Sequence, residues 1–424
     1  MKTNRTIPSK YKKIIVEVCR VLIGLVFIFS GFVKAVDPLG SAYKFHDYFA
    51  AMGLQWLDFS VLPAAFFLSA LEFSLGLCLL AGVYRKIVSW LVLLFMCFMT
   101  PLTLYVAIAN PVTDCGCFGD ALVITNWQTF YKNIVLIIAA ILVFLWRKQM
   151  TRLFSKKCRS LVALFTVVFI LGVSLYCYAY LPVLDFRPYK IGNNISELMQ
   201  IPEGAETDVY ETTFIYEKEG VQQKFSMDNY PKGDTGWTFV ETINTLIKKG
   251  YEPPIHDFTI TTEEGDDMTG EILTDAGYTF LLIAHKLEEA DDSNVDKINT
   301  LYDYARQNEY RFICLTSSLP EQITEWKEST GAEYPFCTMD DIALKTIIRS
   351  NPGLMLLHDA TIVNKWAGRE IPGEKDLQSP LENSSVGVPP VNQDVRNILL
   401  LALILLIPLI GLYIWDRKNR IINI

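Results

Sequence analysis

The sequence predicts a membrane α-helical protein with six spans and a large α/β domain outside the membrane. One observation behind this prediction is composition: 51% of the 424 residues are hydrophobic, and the mean hydropathy of +0.26 is high for a water-soluble chain of this length. The other is an uneven charge. Residues 181–395 hold 38 acidic and 17 basic side chains, a net charge of −21, whereas the rest of the chain is basic. Because an acidic domain repels phosphates, we predict no nucleic-acid partner.

Six apolar runs are each close to the roughly 20 residues that a helix needs to cross a bilayer. They are predicted at 14–34, 61–83, 87–109, 127–146, 160–180 and 397–415. Lysine and arginine cluster in the N-terminal tail and after the second, fourth and sixth runs, which puts all these clusters on one side of the membrane. The positive-inside rule then predicts a multi-pass protein of the inner (cytoplasmic) membrane, with both termini in the cytoplasm and residues 181–396 in the periplasm. The first run reaches Lys34 without a small-residue cleavage motif, so we predict a retained span and no cleaved signal peptide.

The acidic insert has the pattern of an α/β domain. Residues 208–226 alternate and turn at Glu219-Gly220, which predicts a hairpin, while residues 236–248 fit either a strand or a helix. From Ile255 onward strands and helices alternate. Strands are predicted at 255–261, 278–286, 310–316, 354–358 and 361–366, and helices at 293–307, 319–329 and 340–349. Residues 371–395 are rich in Pro, Ser, Gly and Glu, which predicts a tether to the last span.

These patterns divide the chain into six parts. We predict a four-span membrane domain at 1–150, followed by a fifth span at 151–180. The region outside the membrane comprises a β-rich subdomain at 181–250, an α/β domain at 251–370 and a linker at 371–395. The sixth span and a cytoplasmic tail occupy 396–424.

Two of the nine cysteines differ from the others in their surroundings. Most lie in apolar segments, where cysteine behaves as a small hydrophobic residue. Cys115 and Cys117 instead lie in a polar loop, Asn110–Asp120, just outside the third span. A disulfide across Gly116 would close a small, strained ring, and strained, exposed disulfides tend to be the labile or catalytic ones. A redox pair, a structural disulfide and half of a zinc site, with His46 as a third ligand, all remain open, and we predict the redox pair and no metal site.

Charged residues inside the spans form a second candidate site. Glu72 lies near the middle of the second span, and Arg20 and Lys34 bracket the first. A carboxylate at mid-bilayer is costly unless it is paired or functional, so we predict an ion pair with Arg20 or Lys34. Such a pair is either purely structural or part of a proton relay.

Several of these residues resemble a known membrane family. The stretches Arg20–Gly24 and Phe29–Lys34, followed by Glu72, resemble the DoxX-type four-helix family over about residues 14–150. The Cys-Gly-Cys-Phe-Gly loop is similar to its MauE branch, named for methylamine utilisation. This resemblance implies redox or disulfide chemistry with Cys115 and Cys117 as the redox pair. It also implies Glu72 as the buried acid, with quinone as a cofactor whose head group would lie near Glu72, Arg20 and Lys34.

The outer domain resembles the thioredoxin-like domains of membrane-anchored thiol–disulfide proteins. The resemblance rests on Pro254–Ile260, Tyr278–Ile283 and Arg349–Leu354, and it implies a cis-proline at Pro352. The segment Leu287–Asn294, where that family carries Cys-x-x-Cys, has no cysteine. The domain therefore lacks the usual nucleophile. Cys337 is a candidate one-cysteine redox partner for the membrane pair, against the alternative of a buried core residue.

Two functions follow from these features. The first is an inner-membrane thiol–disulfide redox protein, an oxidoreductase that exchanges electrons through Cys115 and Cys117 with a periplasmic thiol partner and with quinone. The second is a non-catalytic assembly or maturation factor whose thioredoxin-like domain binds a client protein. The Cys-Gly-Cys loop favours the first, and the missing Cys-x-x-Cys favours the second. A transporter is a weaker third alternative, because few polar residues line the spans.

Overall fold

The computed structural model describes residues 8–112, 115–232, 236–248, 250–377 and 380–422 of the protein. Within these ranges six helices are long and apolar enough to cross a membrane, which confirms the predicted multi-span class. They are the first, third, fourth, fifth, sixth and last in the chain. The helices are α1 (Ser9–Val36), α2 (Pro38–Ala51), α3 (Val61–Ala81), α4 (Arg85–Ala109), α5 (Asn126–Trp146), α6 (Arg159–Ala179), α7 (Ile195–Met199), α8 (Thr269–Thr274), α9 (Val295–Gln307), α10 (Pro320–Thr330), α11 (Asp341–Ile347) and α12 (Gln393–Ile422).

Helix α2 is absent from the sequence prediction. It begins directly after the first span, where Asp37 accepts a hydrogen bond from the Gly40 N–H and Pro38 occupies the first helical position. Both residues are typical of helix starts. The helix places Tyr43 and Tyr48 outside the first span, beside the loop that carries the two cysteines.

Helices α1 and α3 approach closely because small residues meet where they cross. A Cβ atom added to Gly76 would lie 2.8 Å from the carbonyl oxygen of Gly24. One added to Gly31 would lie 2.7 Å from the carbonyl oxygen of Ser69. Small residues at such contacts are the usual means of close helix packing in membranes. The close contact lets short-range polar bonds form between α1 and α3.

The outer domain is built on a mixed six-stranded sheet. The strands of the whole chain are β1 (Val209–Lys218), β2 (Val221–Ser226), β3 (Thr238–Lys248), β4 (Thr261–Thr262), β5 (Tyr278–Ile283), β6 (Arg311–Thr316), β7 (Phe336–Thr338), β8 (Gly353–His358) and β9 (Thr361–Ala367). The six-stranded sheet has the order β4-β7-β6-β5-β8-β9. Strands β5, β6 and β7 are parallel to one another. Strand β8 runs antiparallel to β5, and β9 forms an antiparallel hairpin with β8. This is the α/β architecture that the thioredoxin resemblance implies.

Period-two alternation divides the sheet residues between two apolar layers. Phe280 and Phe312 face the layer that contains α9 and α10. Leu281 and Ile313 face the opposite layer with α11. The strand predicted at 255–261 is reduced to its last residue, which begins the short β4; residues 255–260 belong to no helix or strand. Ile255, Phe258 and Ile260 are nevertheless buried in the core of the outer domain.

The hairpin predicted at 208–226 is part of a separate three-stranded sheet, β2-β1-β3. Its turn residues Glu219 and Gly220 both have positive φ, 53° and 78°, as a two-residue hairpin turn requires. Residues 236–248, which fitted either a strand or a helix, contribute β3 to this sheet.

The segment predicted as a tether packs against the outer domain over part of its length. Leu377, Leu381 and Val386 are buried in the same apolar layer as α9. The side chain of Asn364 donates a hydrogen bond to the carbonyl of Val386, at 2.8 Å. The composition of the segment predicts an open linker, but its few apolar side chains are enough to hold it on the sheet.

The described segments that the charge pattern assigns to the cytoplasm lie together at one end of the helix bundle. Thr151, between α5 and α6, donates its N–H to Glu17 of α1 at 2.7 Å. Ser155 of the same loop donates its N–H to Asp416 near the end of α12 at 2.8 Å. The cysteine loop and the outer domain lie at the opposite end. The side of the membrane that each end of the bundle faces stays a prediction.

We expect reporter fusions after residues 120, 155, 300 and 424 to be located outside, inside, outside and inside the cell, respectively. The physical reason is the excess of Lys and Arg at one end of the bundle. An alkaline phosphatase and green fluorescent protein pair measures both states at each position. A cytoplasmic signal at residue 300 contradicts the proposed orientation.

Candidate functional site

Two free thiols lie in contact in the loop between α4 and α5. The Sγ atoms of Cys115 and Cys117 are 3.3 Å apart, and both side chains are half-buried. Gly116 between them has φ +64°, a left-handed conformation that residues with a Cβ rarely adopt. The Gly119 N–H then donates to the carbonyl of Gly116 at 3.2 Å and closes the turn. The turn therefore holds the two sulfur atoms together on one side of the loop.

Helices α1 and α2 hold the backbone at both cysteines. Lys34 Nζ and Ser30 Oγ of α1 each donate to the carbonyl oxygen of Cys117 at 2.7 Å. The hydroxyl of Tyr48 in α2 donates to the carbonyl oxygen of Cys115 at 3.1 Å. The loop is thus fixed to the end of the bundle by contacts at each sulfur-bearing residue.

The buried carboxylate at Glu72 pairs with Lys34. Lys34 Nζ lies 2.9 Å from Glu72 Oε2, and the two side chains are only 7% and 4% exposed. An ammonium group has three N–H donors. Those of Lys34 go to Ser30 at 2.7 Å, to Glu72 and to the carbonyl of Cys117. With these donors committed, the pair does not fit the quinone head group that the family resemblance implies.

Arg20 does not belong to this site, which corrects its inclusion as a candidate. Arg20 pairs with Glu17 at 2.8 Å and donates to the carbonyl of Thr151 at 2.7 Å, at the other end of the bundle. Arg20 and Lys34 are 14 positions apart, which corresponds to roughly 21 Å along a helix. The sequence placed both at similar distances from mid-depth, but the packing of α1 on α3 brings only Lys34 level with Glu72.

The electrostatic surroundings make the two thiols unequal. The pKa of Cys117 lies below that of an ordinary thiol, chiefly because of its hydrogen bond with Cys115. Burial opposes this shift, and the positive charges of Lys132 and Lys34 assist it. The same hydrogen bond, together with burial, raises the pKa of Cys115. Lys132 of α5 stays close to the loop, with its Nζ 4.2 Å from the centre of the Phe118 ring. These surroundings favour Cys117 as the thiolate of the pair and Cys115 as its proton-bearing partner.

The third ligand considered for a zinc site is committed to another contact. Nδ1 of His46 lies 3.1 Å from a carboxylate oxygen of Asp58. In the ranges that the structure describes, no group of three or more His, Cys, Asp or Glu side chains is arranged to hold a metal ion.

Cys337 lies in the core of the outer domain and not at the membrane pair. It is 3% exposed and sits in β7, opposite Leu315 of β6 and Thr262 of β4. Burial raises the pKa of its thiol. The candidate partner role is corrected accordingly, because a buried strand residue cannot meet a loop at the membrane surface without opening the sheet.

The cis-proline loop of the outer domain faces the cysteine loop. The Asn351–Pro352 peptide bond is cis, the conformation that the resemblance implies. Asn351 also contacts the segment that lacks Cys-x-x-Cys: its amide donates to the carbonyl of Lys286 at 2.8 Å, and its carbonyl accepts from the N–H of Asp291 at 3.0 Å. Arg349, three residues before Pro352, pairs at 2.7 Å with Asp37, the residue that directly follows α1. The end of the sheet that carries the cysteines in thioredoxin-like proteins therefore faces the bundle.

Sequence reasoning missed the polar residues that surround the cysteine pair. They are Ser30, Asp37, Tyr48, Asp120, Lys132 and Arg349. Asp37 and Arg349 lie 312 positions apart, and no local pattern signals such a pair. The sequence offered one signal for these residues: some of them are charged and lie at the edge of an apolar run, as Asp37 does, or next to the predicted cis-proline, as Arg349 does.

Fold and site together define a multi-span membrane protein with a dithiol loop and a thioredoxin-like outer domain. The family model of the methylamine utilisation protein MauE matches residues 12–147, so the four-span part of this chain is similar to that family. A second family model, the domain of unknown function DUF8463, matches residues 210–249, the region of the three-stranded sheet.

A solved structure matches part of the chain. The structure is the solution structure of a protein from Bacteroides thetaiotaomicron, provisionally named a protein disulfide isomerase. It is 19% identical, covers 28% of this chain and 78% of its own, and has a TM-score of 0.23. No curated protein matches.

Proposed function

We propose that the protein is a membrane thiol–disulfide oxidoreductase that exchanges electrons through Cys115 and Cys117 with a thiol or disulfide of a periplasmic partner. The observation that supports this most is the contact of two free thiols at 3.3 Å in a loop at the edge of the membrane. A thiolate beside a second thiol is the arrangement that disulfide exchange requires.

The exchange proceeds in two steps. The Cys117 thiolate attacks one sulfur of a partner disulfide, forms a mixed disulfide, and releases the other partner sulfur as a thiolate, which takes up a proton. Cys115 then loses its proton and attacks the sulfur of Cys117, which releases the second partner thiolate. The partner has gained two electrons and two protons, and the pair has become a disulfide. The same steps in reverse oxidise a partner dithiol.

Lys34 and Glu72, inside the bundle next to the cysteine loop, assist the exchange. Lys34 fixes the carbonyl of Cys117 and places a positive charge near its sulfur, while Glu72 balances that charge inside the bundle. The pair also offers a route for a proton from the loop toward the membrane interior. We derive no step through quinone, because the Lys34 donors are already committed.

A client-binding maturation factor is the second candidate. It is favoured by the absence of cysteine from Leu287–Asn294 in a domain that retains the thioredoxin-like sheet. It is also favoured by exposed apolar side chains on the three-stranded sheet, among them Tyr210, Val221 and Phe239. In this alternative the outer domain would hold a client protein near the membrane without electron transfer.

A full-length variant with Cys115→Ser and Cys117→Ser is expected to have no disulfide reductase activity. The two cysteines of the outer domain, Cys314 and Cys337, are 0% and 3% exposed and cannot replace the pair. Turnover of a disulfide-linked fluorescent peptide by purified protein measures the loss, with dithiothreitol as the reductant.

The matched control is Cys97→Ser, which removes an exposed cysteine of α4 outside the cysteine loop. It should retain wild-type turnover. If the double variant keeps both its turnover and its function in cells, electron exchange through the loop is excluded and the maturation role takes its place.

A further inference from the structure

An ion cluster joins the outer domain to the membrane part next to the two cysteines. Arg349 is at its centre. Its Nε lies 3.0 Å from Asp37 Oδ1 and its Nη2 lies 2.7 Å from Asp37 Oδ2, so the guanidinium and the carboxylate meet through two parallel bonds. The remaining nitrogen donates to the carbonyl of Lys345 at 2.6 Å. The Arg349 side chain is 9% exposed, which makes this a nearly buried contact.

The same guanidinium also reaches the cysteine loop. Arg349 Nη2 lies 3.7 Å from Asp120 Oδ2. Asp120 is three residues after Cys117, and Asp37 is three residues after Lys34. Arg349 therefore joins two parts of the membrane domain. One is the end of α1, whose side chains hydrogen-bond to the Cys117 carbonyl, and the other is the turn that carries Asp120.

An aromatic ring adds to the contact from the membrane side. Tyr43 of α2 lies beneath two cations of the outer domain, with its ring centre 5.4 Å from the guanidinium carbon of Arg349 and 5.3 Å from Lys345 Nζ. The docked position of the cis-proline loop thus depends on three membrane-side residues: Asp37, Tyr43 and Asp120.

A cavity of about 410 Å³ lies beside this cluster, between α2, the cysteine loop and α11. Its wall includes Gly116 and Gly119 of the loop. Two cations in its wall pair with carboxylates of the outer domain itself: Arg187 lies 2.8 Å from Asp185, and Lys345 lies 2.6 Å from Asp341. Arg349 is a wall residue that pairs across the interface, with Asp37 of the membrane part.

We propose that Arg349 is a positioning residue for the cysteine pair and that it favours the dithiol over the disulfide. The inference rests on the proposed redox function. The clamp is formed with the two sulfur atoms 3.3 Å apart. Disulfide closure must bring them to bonding distance, and Asp120 lies only three residues after Cys117. A contact that is stronger in one of two states shifts the equilibrium toward that state.

The test measures the thiol–disulfide equilibrium of full-length protein in lipid nanodiscs against buffers of reduced and oxidised glutathione. Acid quenching and a thiol-reactive mass tag report the oxidised fraction at each buffer ratio. We expect Arg349→Ala to shift the equilibrium constant about tenfold toward the disulfide, which corresponds to about 30 mV for a two-electron couple. Arg349→Lys keeps the charge but loses the two parallel bonds, and it should give a smaller shift in the same direction.

A second variant tests the contact from the loop side without altering the outer domain. Asp120→Asn should also shift the equilibrium toward the disulfide. Combined with Arg349→Ala it should add little, since both changes remove one contact. The matched control is Arg306→Ala, an exposed arginine of α9 that pairs with Asp303. It should leave the equilibrium unchanged.

The outcomes separate this inference from the function on which it rests. A wild-type pair that stays in one redox state at every glutathione ratio overturns both. If the wild-type pair equilibrates normally and neither Arg349→Ala nor Asp120→Asn differs from Arg306→Ala, only the positioning role is overturned. A shift of both variants toward the dithiol also overturns it.

Discussion

Cys115→Ser is expected to trap a partner protein in a mixed disulfide on Cys117, whereas Cys117→Ser is expected to trap little or none. We expect Cys117 to be the thiolate of the pair, because its hydrogen bond with Cys115 and the positive charges of Lys132 and Lys34 lower its pKa. It attacks first, and without Cys115 the mixed disulfide has no internal thiol to resolve it. Both variants should lose turnover completely, since an internal disulfide needs two sulfurs.

Non-reducing gels of rapidly acid-quenched cells measure the adduct, and its loss with reductant identifies it as a disulfide. Cys97→Ser is the control that should show none. Equal adducts in the two cysteine variants would contradict the assignment of Cys117 as nucleophile. Full function of both, with no adduct in either, would favour a structural role for the loop.

The pH dependence of alkylation checks the same assignment in the wild-type protein. An ordinary thiol has a pKa of about 8.5, and it reacts slowly at a pH below that value because little of it is thiolate. Because the pKa of Cys117 is lowered, its thiolate persists to lower pH, and its reactivity is lost only as the pH falls through that lowered value. Mass spectrometry after brief iodoacetamide treatment should find Cys117 modified before Cys115.

Glu72→Gln is expected to lower the free energy of unfolding by about 3–5 kcal/mol, the usual cost of removing one partner of a buried ion pair. Lys34 would then keep its charge in the bundle with only neutral acceptors, Ser30 and the carbonyl of Cys117. Thermal unfolding in detergent measures the change. The matched control is Ser74→Ala on the same helix, whose hydroxyl has no hydrogen-bond partner in the structure and whose loss should matter within about 0.5 kcal/mol.

A double variant separates a structural pair from a functional one. Lys34→Met with Glu72→Leu replaces both charges with apolar groups, which often restores the stability lost by single changes. If the pair only holds α1 against α3, stability and turnover should both recover. If Lys34 also positions the cysteine loop and supplies a positive charge near Cys117, stability should recover and turnover should not. Equal stability of Glu72→Gln and Ser74→Ala would mean that Glu72 has no special place in the bundle.

The sequence alone determined the features of this protein that depend on neighbouring residues. Six helices follow from the length of six apolar runs, because the bilayer requires a minimum span whatever the packing. The buried strands β5 and β6 follow from short apolar runs, and the cysteine pair follows from its one-residue spacing in a polar loop. The departure at Leu287–Asn294 was equally visible, since it is the absence of a short motif at a defined place.

Only the tertiary structure decided which distant residues meet. It selected Lys34 and rejected Arg20 as the partner of Glu72, because that choice depends on the level at which α1 packs on α3. It buried Cys337 in β7 and brought Arg349 to Asp37 across 312 positions of chain. Hydrophobic periodicity determines which face of an element is buried, but not the height or orientation at which two elements pack. An ion pair between distant residues requires an alignment of a few ångströms. That alignment arises only when α1 packs on α3, for Lys34 and Glu72, or when the outer domain docks on the bundle, for Arg349 and Asp37.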